Sequence, residues 1–272
     1  MRIPPNTTEW INLAGRWFHV FAGILWVGTT FYFTWLDGRF TEAGKAVSDA
    51  PEGAEVWMVH SGGFYVVEKR KSPGPHELHW FRWEAGLTWL SGMVLLIFVY
   101  YLGGAMVDED VRDISLLTAN LFGIGLLVAA WIIYDVLVQS PLGRNEKAFA
   151  VTAYVLVVGS IYGVTHVLSG RAAYIHIGAM FGTIMAANVW MRILPAQRRM
   201  IAATREGQTP DGNLAARAKL RSKHNTFMAV PVVFTMISNH YPVSTFGHKY
   251  NWVILSAMVL VGWGAAKLIR RA

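Results

Sequence analysis

Seven long apolar segments constrain this chain of 272 residues more than any other feature of its sequence. A bilayer core of about 30 Å requires roughly 20 consecutive apolar residues in a helix. The segments that meet this requirement lie near residues 10–36, 80–104, 114–138, 148–169, 171–194, 225–242 and 250–269. A transmembrane barrel would need alternating polarity, whereas residues 87–102 are apolar almost without interruption. The sequence therefore predicts an all-α integral membrane protein, a bundle of seven transmembrane helices in a single domain over residues 1–272.

Composition agrees with this class and narrows the chemistry. Only 15% of the residues are charged, whereas soluble domains carry about 25%, which argues against a soluble domain and excludes a disordered chain. The chain has no cysteine, so it holds no disulfide, iron–sulfur cluster, thiolate zinc site or covalently attached c-type haem. Its nine histidines are therefore the main candidates for chemistry.

The distribution of Lys and Arg predicts the orientation. Basic residues concentrate in four regions that seven spans place on one side, namely 37–79, 139–147, 192–223 and the C-terminus. The opposite side carries Asp108, Glu109, Asp110 and Asp113 against only Arg112. The N-terminus is therefore expected outside and the C-terminus in the cytoplasm, with 195–223 as a basic cytoplasmic loop. No nucleic-acid partner is expected, because the basic residues are dispersed over loops without a binding motif.

One cytoplasmic insertion, residues 37–79, separates the first two spans. It contains an apolar stretch, 56–67, that is interrupted by His60, Ser61, Gly62 and Gly63. Twelve residues are too few to cross a bilayer, so we expect an interfacial or re-entrant segment between helices 1 and 2. Ordered insertions of this length are often functional.

Four histidines on different spans lie at a similar depth near the outer face: His19, His166, His176 and His240. Two imidazoles that face each other across a bundle are the ligands of a b-type haem. His19 has glycines four residues to either side, and His166 has glycines three and seven residues before it. Such glycines leave room for a porphyrin, so His19 and His166 are the first choice of haem iron ligands and the other two are alternatives. The same glycines could instead serve plain helix packing.

A second group of polar residues lies towards the inner side: His60, His76, His79, Glu84 and His224. A carboxylate with a histidine can perform acid–base catalysis, and the pair Gly62-Gly63 lets backbone N–H groups approach a ligand. The alternative is an interfacial aromatic belt around Trp80, Phe81 and Trp83. Zinc is less favoured, because local spacing fixes no third ligand beside His76 and His79.

Several blocks of the sequence resemble a known family over nearly the whole chain. They are residues 16–28, 55–65, 78–85, 88–92, 134–135, 140–142, 224–231 and 236–240. These blocks are similar to the membrane domain of the bacterial membrane-bound urate hydroxylases, the urate oxidase N-terminal domain family. Ser61 departs from the family block, where we expect glycine.

The resemblance implies a membrane enzyme that oxidises urate during purine breakdown. Together with the histidine pattern and the charge distribution, it predicts a haem b-containing oxidoreductase of the bacterial inner membrane with a periplasmic N-terminus. Members carry a C-terminal cytochrome c domain and pass electrons to the respiratory chain. Because this chain lacks cysteine, the Cys-x-x-Cys-His haem domain is missing, and we expect a separate cytochrome c as the partner. One haem is expected, or two if His224 with His60 or His79 holds a second on the inner side.

Under this hypothesis, the inner group of polar residues would form the substrate site. The catalytic candidates are His60, His79, Glu84 and His224, and the candidates for binding the purine-like substrate are Gly62, Gly63 and Arg82. The alternative function is a non-catalytic membrane anchor or electron-transfer subunit of a larger respiratory or photosynthetic complex. A transporter is disfavoured, because the sequence shows no inverted repeat.

Overall fold

The computed structural model describes residues 5–46, 55–70 and 76–270, which form a helical bundle with one β-hairpin. The helices are α1 (Pro5–Ala46), α2 (Trp83–Leu95), α3 (Leu116–Gln139), α4 (Glu146–Thr165), α5 (Gly170–Ala187), α6 (Leu194–Arg205), α7 (Gly212–Ile237) and α8 (Asn251–Ile269). The hairpin consists of β1 (Glu55–His60) and β2 (Gly63–Glu68). A π-helical stretch, Leu96–Tyr101, extends α2, and another, Asn188–Ile193, joins α5 to α6 without a break.

Five helical segments of the described chain are long and apolar enough to cross a membrane. They are Trp83–Tyr101, Leu116–Gln139, Glu146–Thr165, Gly170–Arg205 and Asn251–Ile269. They coincide with five of the seven predicted spans, so the all-α membrane class fits. The two remaining predicted spans fall on α1 and α7, which are long enough but less apolar. Four tryptophans of only moderate hydropathy lie along α1, and the first half of α7 is basic. The seven-span count is therefore not established by these five helices.

Helices α1 and α2 pack against each other in antiparallel directions. Gly15 of α1 faces Leu95 of α2, and Gly23 faces Thr88. The 42 residues of α1 extend over about 63 Å at 1.5 Å per residue, about twice the thickness of a bilayer core. The C-terminal turns of α1 therefore project past the start of α2.

The continuous helix α5–α6 is the centre of the bundle. More than half of its apolar window (56%) is buried, against 17–28% for the other four candidate spans. α5 packs against α2, α3, α4 and α7, and the largest buried side chains, including Tyr174 and Ile177, lie on it. The other helices present apolar side chains outwards, as expected of a lipid-facing ring.

The two ends of the bundle differ in charge. We call the end with the 102–115 loop the acidic end, because it carries Asp108, Glu109, Asp110 and Asp113. We call the other end, where α3 meets α4 and α6 meets α7, the basic end. The antiparallel order of the helices places the C-terminal part of α1 at the basic end as well.

The stretch that the sequence predicts to be interfacial or re-entrant is the β-hairpin. Its strands pair antiparallel from Glu55↔Glu68 to His60↔Gly63. The two-residue loop between them has positive φ at both positions, 49° at Ser61 and 78° at Gly62, which is the signature of a type I′ turn. Because a two-stranded sheet has unpaired edges, which are not tolerated where they face hydrocarbon, the hairpin favours the interfacial alternative over the re-entrant one.

Contacts with α1 position this hairpin at the basic end. The hydroxyl of Tyr32 lies 3.5 Å from the sulfur of Met58, and Lys69 forms a salt bridge of 2.9 Å with Asp37.

Candidate functional site

A cluster of charges lies at the basic end, between α3, α5–α6 and α7, with Asp135 and Arg221 buried and Arg192 at the exposed edge. Asp135 of α3 accepts hydrogen bonds from Arg192 through Nε (2.9 Å) and Nη2, and from Nη2 of Arg221 at 2.7 Å. Gln139 adds a bond of 2.7 Å to the same carboxylate. Arg221 is only 4% exposed. Ionisable residues within membrane spans are expensive to bury, and when present they usually serve function.

A relay of amides connects this charge cluster to the interior. Nη1 of Arg221 donates to Oδ1 of Asn188 (3.1 Å), which fixes the orientation of that amide. The two N–H groups of Asn188 then donate to the hydroxyl oxygen of Tyr134 (3.0 Å) and to Oδ1 of Asn225 (2.8 Å). Asn188 is completely buried, so its hydrogen bonds are shielded from competition with water.

The relay favours one proton position on His224. Because the Tyr134 hydroxyl accepts from Asn188, its own hydrogen is free to donate to Nδ1 of His224, at 2.9 Å. A neutral imidazole that accepts at Nδ1 carries its proton on Nε2. The ring is also stacked on Phe149 of α4, with centroids 4.6 Å apart and planes 8° from parallel. Nε2–H has no hydrogen-bond acceptor among the described residues.

His224 borders a cavity of about 260 Å³, which we call the α3–α4 cavity. Its walls come from α3, α4, α5, α7 and α8 and are mostly apolar. The side chains with polar atoms on the lining are Tyr134, Glu146, Ser160, Lys223, His224 and Trp263. Glu146 and Lys223 form a salt bridge of 2.6 Å with each other at the basic end. The cavity is therefore a mostly apolar chamber that is bordered by an oriented imidazole ring.

The structure does not bring His60 and His79 to His224. His60 ends β1 at the exposed hairpin turn, and exposed His79 packs edge-on against Phe81 with centroids 4.6 Å apart. Thr226 of α7 lies 3.4 Å, hydroxyl to hydroxyl, from Thr34 of α1. Thr226 is two residues, or about 200° of helix, from His224. His224 therefore faces away from α1, the helix against which the hairpin packs.

The remaining inner candidates also lie on the α1–α2 side. Glu84 is in the first turn of α2, and its Oε2 is buried without a donor among the described residues. Arg82 places its guanidinium 5.8 Å from the ring centre of Trp83. Gly62 lies in the hairpin turn, where positive φ explains it without a ligand, and Gly63 begins β2. Within the described ranges, no group of three or more His, Asp or Glu side chains is placed to hold a metal ion.

Of the predicted haem ligands, His19 packs between α1 and α2. Its Nδ1 lies 2.9 Å from Oγ of Ser91. The glycines on either side of it, Gly15 and Gly23, face Leu95 and Thr88. The space that a porphyrin would need is occupied by α2, so these glycines serve helix packing.

His176 is enclosed in the core at the acidic end. Its Nδ1–H donates to the carbonyl oxygen of Ala172 (2.8 Å), and Nε2 accepts from the hydroxyl of Tyr101 (3.2 Å). A Cβ atom at Gly123 would come within 2.7 Å of Nε2. Both ring nitrogens are satisfied and no volume is left for a ligand.

His166 and His240 are exposed at the acidic end. His166 directs Nδ1 at the carbonyl oxygen of Tyr162 (2.7 Å) and borders, with Arg171 and His248, a more polar cavity of about 560 Å³. The hydrogen bonds of His19, His166 and His176 go to different residues. Their pairing as haem ligands stays a prediction, and we derive no reaction step through a haem.

Sequence reasoning gave no role to most of the charge cluster. Tyr134 and Asp135 were noticed as part of a resembling block, and Arg192 and Arg221 were counted as charges of a cytoplasmic loop. The sequence signal that could have revealed the cluster is the presence of Asp135 and Asn188 inside apolar segments. Such polar residues require hydrogen-bond partners on neighbouring helices.

Comparison with known proteins places the whole described bundle in one family. The model of the urate oxidase N-terminal family matches residues 5–270. No curated protein and no solved structure matches the chain. The matched region includes all five apolar helices, the charge cluster and the α3–α4 cavity.

Proposed function

Because this chain belongs to the urate oxidase N-terminal family, we propose that it is a membrane oxidoreductase of the urate hydroxylase type, which oxidises urate and passes electrons to a cytochrome c. The observation that carries the proposal is the charge cluster of Asp135 and its partners, which orients one imidazole at the edge of a cavity. A bundle that needed only to anchor another protein would gain nothing from an oriented, unpartnered N–H donor.

His224 is the residue that we propose to act in the redox reaction. Tyr134 holds its Nδ1, so Nε2–H can donate a hydrogen bond or a proton to an oxygen atom of a bound molecule. Stacking on Phe149 fixes the plane of the ring. The other proposed residues lie on the α1–α2 side: His60, His79 and Glu84 as catalytic candidates, and Gly62, Gly63 and Arg82 as candidates for the purine.

We propose further that α1 and α7 complete seven spans in one membrane domain. α1 packs along α2, which is itself a candidate span, and α7 packs between α5 and α8. The concentration of Lys and Arg at the basic end then orients the N-terminus to the periplasm of a bacterial inner membrane.

The absence of cysteine provides a direct test of this topology, since single cysteines can be introduced without further changes. A membrane-impermeant maleimide should label Asp110→Cys in intact spheroplasts and Thr209→Cys only after permeabilisation. Labelling of Thr209→Cys but not of Asp110→Cys in intact spheroplasts would show the opposite orientation. Labelling of both would show that an even number of spans separates residues 110 and 209.

The activity is tested with membranes that contain the chain and added cytochrome c. We expect urate absorbance to fall in wild-type membranes and to stay constant with His224→Ala. His248→Ala, an exposed histidine at the acidic end, is the matched control and should retain activity. Wild-type membranes that leave urate intact would overturn the proposal. If partner chains then co-purify in stoichiometric amount, the protein is an anchor or electron-transfer subunit.

Haem b stays a prediction of the sequence, and its test is spectroscopic. Protein purified in mild detergent should show a Soret band and reduced b-type α absorption if one or two haems bind. His19→Ala and His166→Ala should then shift or abolish that spectrum. A preparation without a Soret band would remove haem b from the proposed function and leave the α3–α4 cavity as the place to search for a redox ligand.

A further inference from the structure

We propose that the α3–α4 cavity binds the headgroup of a lipid-soluble quinone, with Nε2–H of His224 donating to one carbonyl oxygen of the quinone ring. The inference goes beyond urate oxidation, and binding itself does not depend on it. Its significance as an electron acceptor does rest on the proposed function.

The position of the opening favours a ligand that arrives from the bilayer. Ile133 of α3 and Leu156 of α4 border the cavity and are 50% and 42% exposed. The surface on either side continues with Val136 and Val155, which are more exposed still. The cavity therefore opens between two candidate spans, at an apolar surface that lipid would cover.

The walls favour a flat and largely apolar molecule. The parallel rings of Phe149 and His224 give the cavity a planar aromatic boundary, which suits an aromatic or quinonoid ring. Most other lining residues are aliphatic, such as Ala153 and Val157. An isoprenoid quinone combines a flat ring with an apolar tail that can extend through the lateral opening.

The hydrogen-bond inventory favours carbonyl oxygens over a purine. His224 offers one N–H without an acceptor. Trp263, which borders the same cavity, has a buried indole N–H without an acceptor among the described residues. The Trp263 N–H is closed off from the cavity, so the His224 N–H is the donor that would meet one carbonyl oxygen of a quinone. Urate presents several N–H groups as well as carbonyls, and in this apolar chamber most of them would stay unpaired, which disfavours binding.

A quinone at this site would be an alternative electron acceptor to the proposed cytochrome c, and one quinone would balance the oxidation of one urate. Oxidation of urate with addition of one water releases two electrons and two protons. Reduction of a quinone takes up two electrons and two protons, as both carbonyl groups become hydroxyl groups. His224 would contribute hydrogen bonding at one of these oxygens, so it belongs to the acceptor side of the reaction.

The test uses a photoreactive azidoquinone with the wild-type chain in proteoliposomes that contain no urate. We expect labelled peptides from α4 and α7, and competition by a short-tailed ubiquinone analogue. Ala153→Phe, which fills the cavity, and His224→Ala should each lower labelling about tenfold. His224→Gln should recover part of it, because the glutamine amide keeps an N–H donor.

Val155→Phe is the matched control, since it adds the same ring to the lipid-facing side of α4 and should label as wild type. Equal labelling of Ala153→Phe and Val155→Phe, with both variants monodisperse, would overturn the proposal. Competition by urate would make the cavity a urate site, and equal labelling by a photoreactive fatty acid would make it a lipid-tail site. If labelling follows the expected pattern but urate is not consumed, only the proposed urate oxidation fails.

Discussion

Two histidines, each hydrogen-bonded to a tyrosine, lie at opposite ends of this bundle, His176 fully buried and His224 half-buried. At the acidic end, His176 donates from Nδ1 to a backbone carbonyl and accepts from Tyr101 at Nε2. At the basic end, His224 accepts from Tyr134 at Nδ1 and keeps its proton on Nε2. The first ring has no free nitrogen and no adjoining space, whereas the second presents a free N–H to a cavity.

The comparison teaches that burial and a tyrosine partner do not by themselves indicate a functional histidine. What distinguishes the two histidines is whether both ring nitrogens have hydrogen-bond partners, and whether a cavity lies beside a nitrogen that has none. Behind His224 lies a chain of polar groups that ends at a paired charge, whereas His176 is held by its own helix and one hydroxyl. The orientation of His224 therefore depends on polar side chains from three helical segments, whereas that of His176 depends on its own helix and on Tyr101.

The largest effect is expected from Asp135→Ala, which removes the anchor of the His224 region. It leaves Arg221 buried without its carboxylate, and breaking such a pair lowers the free energy of unfolding by about 3–5 kcal/mol. Thermal and denaturant unfolding of purified protein in detergent would measure this. Glu146→Gln breaks the exposed pair with Lys223 and is the control, with an expected change of about 0–1 kcal/mol. Equal effects of the two variants would contradict the structural role of the cluster.

The next largest effect tests how tightly the His176 region is closed. In Gly123→Ala, the new methyl group would come within 2.7 Å of Nε2 of His176. We expect a loss of about 1–3 kcal/mol of unfolding free energy from overpacking. Gly125→Ala lies on the same helix with no atom within 4 Å of its Cβ and should be neutral or slightly stabilising. A neutral Gly123→Ala would mean that the acidic end has free space after all.

The two tyrosines provide the direct contrast between the regions. Tyr101→Phe and Tyr134→Phe each remove one hydroxyl, and each should lower the free energy of unfolding by about 1 kcal/mol. Only Tyr134→Phe removes the hydroxyl that holds Nδ1 of His224 and favours a proton on Nε2. Only this variant should therefore lower azidoquinone labelling, by about fivefold. Measurements of unfolding and of azidoquinone labelling on both variants test whether the two regions differ in this way. Loss of labelling in Tyr101→Phe would show that the two ends are coupled.

Much of the fold was predictable because the bilayer imposes local rules. The segments that became α2, α3, α4, α5 and α8 were identified by length and hydropathy alone. The hairpin was missed because its strands are short apolar runs, which a period-based interpretation does not separate from other buried segments. The turn residues Ser61 and Gly62 carried the correct signal.

The candidate site was less predictable because it depends on angular position around the bundle. The predicted topology places His60, His79 and His224 on the same side of the membrane, but the face of α7 that carries His224 determines which neighbours it can reach. The pairing of Asp135 with Arg221 joins residues 86 positions apart. The positive-inside rule counts Arg221 among the charges of a cytoplasmic loop. It contains no information about which carboxylate that arginine pairs with. His224 itself was identified, whereas the relay that orients it was not.

The smallest effect is expected at His19, a third histidine that resembles neither of the other two in its surroundings. Ser91 donates its hydroxyl to the carbonyl oxygen of Leu87 and therefore accepts from Nδ1–H of His19. Ser91→Ala should lower the free energy of unfolding by less than about 1 kcal/mol, because the site is partly exposed. Azidoquinone labelling should stay at the wild-type level, which the same unfolding and labelling measurements will show. A labelling defect in Ser91→Ala would extend the functional region from the basic end to the α1–α2 contact, and the contrast between the two ends would no longer hold.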